Sequence, residues 1–262
     1  MGGKPKSRKE PRLMVDREWI VIADAHLGAK PRGLERLLGL VESLDPKTQG
    51  LWFLGDLFHI WAGPKKFRTP PVDRLVAALW AFREAGGVSR LVVGNRDAFF
   101  KEIGPADPPY QGLPFAVIAL DFDTLETAAG LVLAHHGDLV NQTDQAYLRW
   151  RGWMRGRWLR LPFALMPKPL AQSIMFRLEA KLQQTNLGFK MSFPQAQWQR
   201  FVENIAQTTS PKLLLVGHFH PPQPIETQVG QTLGLVVPGW LETCTYLKVK
   251  TDLTYETLVA AP

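Results

Sequence analysis

Three observations predict an α/β fold, with a sheet covered by helices or by another sheet. First, five short apolar runs each end in a cluster of polar residues: Trp19 to His26 (WIVIADAH), Gly50 to Asp56 (GLWFLGD), Ser89 to Asp97 (SRLVVGNRD), Gly130 to Asp138 (GLVLAHHGD) and Lys212 to His220 (KLLLVGHFH). Continuous Val/Ile/Leu runs bounded by glycine are the pattern of strands buried on both faces. Second, helical periodicity lies between them. Third, 262 residues with 45% hydrophobic and 21% charged positions suffice for a sizeable core without a disulfide or a structural metal.

Taken in order, the first run is followed by a helix from Leu34 to Leu44 (LERLLGLVESL), and the second by one from Val72 to Gly86, with Gly86 as its C-terminal stop. Strand, polar loop, helix, strand is the α/β rhythm, and in such folds ligands collect beyond the carboxyl ends of the strands. From Asp144 to about Lys190 the strand pattern stops. Helix-compatible stretches interrupted by Pro162, Pro167 and Pro169 predict a helical insertion there, over about 144–190. Strand character returns from Thr232 to Trp240 and from Thr245 to Thr251, after a turn-like PPQP at Pro221 to Pro224. The basic start, residues 1–12, is expected to be a disordered tail ahead of a domain over 13–262.

Charge narrows the partners. The net charge is +7, yet the stretch from Arg149 to Lys181 alone holds eight basic residues against one acid, and the first twelve residues hold five against one. The rest of the chain is net acidic. Such segregation implies an anionic partner: nucleic acid, an acidic membrane surface or a phosphorylated substrate. The single cysteine, Cys244, forbids an internal disulfide and suits a reducing compartment. Asp16, Arg17 and Glu18 interrupt any signal-peptide core, and no apolar run is long enough for an ordinary transmembrane helix, so export is not expected.

The strand-end residues form one constellation: Asp24, His26, Asp56, Asn95, His135 or His136, His218 and His220. Seven oxygen and nitrogen donors without a thiolate suit Mn, Fe or Zn, and two ions can share them if one carboxylate bridges. Two ions can bind both the attacking hydroxide and the phosphoryl oxygens of an in-line displacement, which is phosphoester chemistry. A solitary Asp-x-His carries little weight, because strand ends bear Asp and Gly for turn reasons. Five such pieces, each after its own strand and holding five of the six histidines, carry much more. The sixth, His59, reads as a packing or supporting residue.

The series DAH, GD, GN, HGD and GHFH resembles the calcineurin-like metallophosphoesterases, over most of the chain and in the same order. The resemblance implies a β-sandwich flanked by helices and two divalent metal ions, expected to be Mn²⁺. It implies Asp24, His26 and His220 on one ion, Asn95, His136 and His218 on the other, and Asp56 bridging both. His136 is chosen over His135 because it directly precedes the Gly-Asp. Where members of the superfamily commonly carry a histidine proton donor after the GN asparagine, this chain has Arg96, which cannot release a proton and is expected to clamp phosphate. Arg96, Asp97 and Asp56 are the expected catalytic residues.

GNRD resembles the form found in one subgroup, the UDP-2,3-diacylglucosamine hydrolases of lipid A biosynthesis. GDLF followed by Trp61, HGD followed by Thr143, Asp144 and Tyr147, and Gly239-Trp240 near a closing strand agree with it. That resemblance implies hydrolysis of UDP-2,3-diacylglucosamine to UMP and 2,3-diacylglucosamine 1-phosphate, on the cytoplasmic face of the inner membrane. A basic helical lid is expected to cover the acylated substrate, and a monomer is favoured. The chain departs from the subgroup at His59, where an acidic residue is usual, at Pro221 for an arginine, in an acidic pair reduced to Thr143 and Asp144, and around Asn186 to Met191. Another metal-dependent phosphodiesterase or a nuclease with the same ligands is the alternative. A binding scaffold that had lost its chemistry would lack ligands, and none is missing.

The insertion interleaves Arg149, Arg151, Arg155, Arg157 and Arg160 with Trp150, Trp153 and Trp158. Indole beside guanidinium is the composition of an interfacial element, with rings at headgroup depth and arginines on lipid phosphate. This favours a lipid surface over a merely solvated helix face and over nucleic acid. The expected substrate contacts are Arg96, Asp144, Tyr147, Arg149, Trp150, Arg151, Trp153, Arg155 and Arg157.

Overall fold

The computed structural model describes residues 16–28, 33–59, 61, 68–97, 99–108, 110–154, 166–167, 169–170, 173, 177 and 193–262. Among these, eleven strands make two sheets. The first sheet has the order β11-β10-β1-β2-β3-β4, from β1 (Glu18–Ile22), β2 (Gln49–Phe53), β3 (Val88–Val92), β4 (Val117–Ala119), β10 (Thr245–Val249) and β11 (Tyr255–Val259). The second runs β5-β6-β7-β9-β8, from β5 (Phe122–Thr127), β6 (Gly130–His135), β7 (Leu213–Val216), β8 (Ile225–Val229) and β9 (Thr232–Val236). Strands β1 to β4 are parallel, as are β6, β7 and β9, with antiparallel strands added outside them.

Alternation along the strands explains the layers. On β1, Trp19 and Val21 point to the other sheet and meet Leu125, Val132, Leu213, Leu215 and Leu235 there. Ile20 and Ile22 point the opposite way, onto the apolar stripes of α1 (Leu34–Ser43) and α2 (Pro70–Glu84). On the far side, Leu133, Leu214 and Val216 pack on Trp198, Phe201, Val202 and Ile205 of α4 (Gln195–Thr208). Helix, sheet, sheet, helix is the expected flanked sandwich.

The anticipated strands are present but shorter than the apolar runs; β1, β2, β3 and β7 stop before their polar clusters, whereas β6 runs on through His135. Trp240 is not the end of a strand. It opens a single helical turn, α5 (Trp240–Thr243), because Gly239 pairs with Ala23 and turns the chain away from β9. Strands β4, β5, β8 and β11 were not anticipated: β4 is three residues long, and β8 and β11 are half-exposed edges without an apolar run. Within 144–190, where a helical insertion was expected, α3 (Gln145–Met154) is described. The tail at 1–12 and the insertion residues Arg155, Arg157, Trp158 and Arg160 lie outside the described residues.

One polar pair crosses the dry layer between the sheets. Arg90 on β3 is fully buried, and its Nε and Nη2 donate to Asp123 on β5 at 2.7 and 2.6 Å; Nη2 also donates to the Thr124 carbonyl at 2.9 Å. The guanidinium lies 5.1 Å from the Trp52 ring and 5.8 Å from Trp19. Removing one partner strands the other charge in a low-dielectric layer, at a cost of about 3–5 kcal/mol. Asp123→Ala is therefore expected to lower unfolding stability by that amount in urea titrations, with metal uptake per folded molecule unchanged.

Candidate metal centre

The polar clusters converge because neighbouring strands end at one level. Strands β1 and β2 are paired from Glu18 with Gln49 to Ile22 with Phe53, and the pairing continues as loop-to-loop bonds: Asp24 N to Gly55 O (3.2 Å), His26 N to Asp56 O (2.9 Å) and Leu27 N to Leu57 O (2.9 Å). Asp24 and Asp56 thus stand side by side, both buried. The loop after β3 brings Asn95 and Arg96, the loop after β6 brings His136, and the loop after β7 brings His218 and His220.

The backbone is unusual here. Asp24 (φ 54°), His26 (46°), Asp56 (47°), His218 (75°) and His220 (49°) all occupy the left-handed region. Non-glycine residues visit it seldom, Asp, Asn and His more than others, and strained backbone costs on the order of 1–3 kcal/mol per residue. Each of these turns aims a donor side chain inward at the end of its strand. Two glycines make room. A Cβ on Gly94 would lie 2.2 Å from Asp56 Oδ1, and one on Gly55 would lie 2.5 Å from His136 Nδ1.

Donor atoms form two neighbouring groups. Asp24, His26 and His220 offer ligand atoms all within 4.8 Å of one another, and so do Asp24, Asp56 and His136. Asp24 is common to both. Asp56 faces both ways, with Oδ2 4.0 Å from His26 Nδ1 and Oδ1 3.6 Å from His136 Nε2. Around His136 Nε2 also gather Asn95 Oδ1 (3.0 Å) and His218 Nδ1 (3.2 Å). His26 Nε2 and His220 Nε2 are 3.4 Å apart, and Asp24 Oδ1 is 3.3 Å from His220 Nε2.

The donor set fits a divalent ion. Asp24 Oδ1 and His26 Nδ1 are buried without a hydrogen bond, and imidazole nitrogens crowd together at distances that a shared cation would relieve. Charge tells the same. Burial would raise the Asp24 carboxyl, but His220, then His136 and His26, hold it well below the usual carboxylate range. Burial raises Asp56 against the opposing pull of His136. Burial pushes His218 down to about 4 and His26 well below the imidazole range. It would lower His220 too, but Asp24 and Glu242 carry that imidazole up to about 10. Two carboxylates buried together recruit positive charge from whatever stands nearest.

The remaining expected residues fall around this centre. The Arg96 backbone N–H donates to Asp56 Oδ1 at 2.9 Å, and its Nε lies 3.7 Å from Asp56 Oδ2. Asp97 is fully buried; its Oδ2 accepts from Gly94 N at 3.2 Å, and burial, then Asp56, push it up to about 7. His135 points away, packed on Phe122 and Phe201, with its Nδ1 accepting from Gly137 N at 2.8 Å. His59 lies edge-on to His26 with ring centroids 6.1 Å apart.

On α3, the Tyr147 hydroxyl and Arg151 Nε each donate to Asp138 Oδ2 at 2.6 Å, and Arg151 Nη2 reaches Asp121 at 2.6 Å. Asp144 Oδ1 accepts from Tyr147 N, Arg149 Nε donates to the Gln145 carbonyl, and Trp150 is exposed beside Tyr147. Trp153 lies in α3, and no further substrate contact anticipated in the insertion falls within the described residues. Sequence reasoning missed Asp138 as the anchor of α3. It also missed Glu242, whose Oε2 lies 2.9 Å from His220 Nδ1. Its only signal was its place three residues after Gly239.

The profile of the calcineurin-like phosphoesterases matches residues 19–222, from β1 through both histidines of GHFH. The chain belongs to that family. It is accordingly a metal-dependent hydrolase. The chain is similar to a Shewanella pealeana protein named UDP-2,3-diacylglucosamine hydrolase, at 28% identity over 239 residues, 89% of this chain and 94% of that one. A Klebsiella pneumoniae protein of the same name is 27% identical over 236 residues, 89% of this chain and 95% of its own length. A Ralstonia nicotianae protein of that name reaches 33% identity over 148 residues, 56% of this chain and 53% of that protein.

Crowding at Gly94 gives a direct check on this metal-dependent family member. Gly94→Ala is expected to displace Asp56 and abolish tight uptake of divalent metal in calorimetric titration. Gly39→Ala, on the open face of α1 with nothing within 4 Å, should leave uptake intact and raise stability by up to about 1 kcal/mol.

Proposed function

We propose that this chain hydrolyses the diphosphate of UDP-2,3-diacylglucosamine, yielding UMP and 2,3-diacylglucosamine 1-phosphate. Similarity along about nine-tenths of its length to proteins named for that hydrolysis supports the substrate. One observation favours a diphosphate in particular: the residue after Asn95 is Arg96, not a proton donor. An alkoxide leaving from an ordinary ester needs an acid. A phosphate monoester leaves as a stable anion and needs charge stabilisation instead, which a permanently charged guanidinium supplies.

In this reading Asp24, His26 and His220 hold one divalent ion, Asn95, His136 and His218 hold a second, and Asp56 bridges them; Mn²⁺ is the proposed occupant. When bound, the ions supply Lewis acidity, polarising the phosphoryl oxygens and acidifying the attacking water. Arg96, held beside Asp56, meets the charge that grows on the phosphoryl oxygens. Asp97 braces the GNRD turn through Gly94 N. His136 donates from Nδ1 to the Leu54 carbonyl at 2.8 Å, which turns Nε2 toward the centre.

The insertion over 144–190 completes the proposal. Its arginines and tryptophans receive the acylated sugar and dock on anionic lipid, so the protein works peripherally on the cytoplasmic membrane face. Among the described residues no helix is long and apolar enough to cross a membrane.

Purified protein with Mn²⁺ is expected to cleave the UDP-linked diacylated sugar far faster than a simple aryl phosphodiester. The reverse preference favours the alternative phosphodiesterase or nuclease. Asp56→Asn should remove most activity even in saturating Mn²⁺, whereas His59→Ala should keep at least about a tenth, a barrier change below about 1.4 kcal/mol. Arg96→Ala should retain metal stoichiometry by elemental analysis while turnover falls about 10²- to 10³-fold.

Replacing Arg155, Arg157 and Arg160 together by glutamate should release the protein from anionic vesicles in a sedimentation assay. Each basic residue near such a surface contributes about 1 kcal/mol. Hydrolysis of a small soluble phosphodiester should be nearly unchanged.

A further inference from the structure

The histidines of the centre are backed by different partners. His136 places its Nδ1 on a neutral backbone carbonyl, that of Leu54, at 2.8 Å. His220 places its Nδ1 on a carboxylate, Glu242 Oε2, at 2.9 Å. Glu242 sits in the single turn α5, and that turn is tied to the site by its own backbone: Trp240 N donates to Ala23 O at 2.8 Å, and Leu241 N to Asp24 O at 3.3 Å. The same loop that carries Asp24 therefore also fixes the carboxylate behind His220. The side chain of Glu242 is about a third exposed, while the His220 ring is mostly buried, so the pair closes one edge of the Asp24–His26–His220 group.

A carboxylate behind a ligating imidazole does two things. It settles the tautomer, with the proton on Nδ1 and the lone pair on Nε2, and it makes that nitrogen a stronger donor. A backbone carbonyl settles the tautomer but adds no charge. We infer that Glu242 is a positioning residue that makes the Asp24–His26–His220 half of the centre the tighter of the two metal sites. The group held by His136, Asn95 and His218 is the weaker, exchanging half. The inference rests on the two-ion reading above and adds to it an order of filling.

The test is calorimetric titration of the chelator-stripped full chain with Mn²⁺, together with the melting temperature of the stripped protein. Wild type should show two classes of site. Glu242→Gln keeps the shape and removes the charge; it should weaken the tighter class about 10- to 100-fold. The weaker class and the melting temperature should stay in place. Glu242→Ala, which removes the acceptor outright, should lose at least as much, and Glu242→Asp should recover part of the affinity. Loss in the weaker class instead, equal loss in both, or no loss in any variant overturns the inference. A different result marks failure of the underlying reading: wild type that takes up fewer than two equivalents, or His220→Ala that leaves both classes untouched.

Discussion

Two carboxylates buried side by side are the constraint on which the rest of this structure depends. Asp24 and Asp56 end adjacent parallel strands in register, away from water and close to each other. Such a pair is unstable unless positive charge is brought to it. Three elements supply that charge, the GNRD turn with Arg96, the HGD loop with His136 and the GHFH loop with His220, while His26 and His218 stand by as neutral imidazoles. The sandwich can be seen as the frame that holds these loops at one level, with strand pairing continued past the strand ends by loop-to-loop hydrogen bonds.

Left-handed backbone at five of the donors is the counterpart of that arrangement. A strand running straight on would carry alternate side chains to opposite faces and away from a common point. The reversal of φ at Asp24, His26, Asp56, His218 and His220 turns the chain so that these side chains converge. Conformations of this cost persist where the surrounding structure holds them, and here Gly55 and Gly94 leave the gaps into which the donor side chains fit.

A second polar system adjoins the first and does different work. Asp138, two residues beyond His136, is held well below the usual carboxylate range: burial would raise it, but His136, His135, Arg151 and Tyr147 outweigh that. Through Tyr147 and Arg151 it fastens α3 to the HGD loop. The arginine- and tryptophan-bearing α3 is thereby rooted beside the centre.

Much of this was legible in the residues. The five apolar runs, their polar ends and the intervening helical stripes determined the α/β class, and the oxygen and nitrogen donor types pointed to a divalent-metal centre. These are local properties: a run of Val and Leu has its period wherever it folds, and an imidazole its softness. What only the tertiary structure decided is relational. It decided that His135 turns into the Phe122 and Phe201 cluster while His136 turns inward, that Asp24 belongs to both donor groups, that Trp240 begins a helical turn, and that Glu242 stands behind His220. The half-exposed edge strands and the Arg90–Asp123 link between sheets belong to the same class. The physical reason is common to all of them. Each depends on which chain-distant atom fills the space beside a side chain, and that is set by the packing of the two sheets and the turn of the backbone between strands.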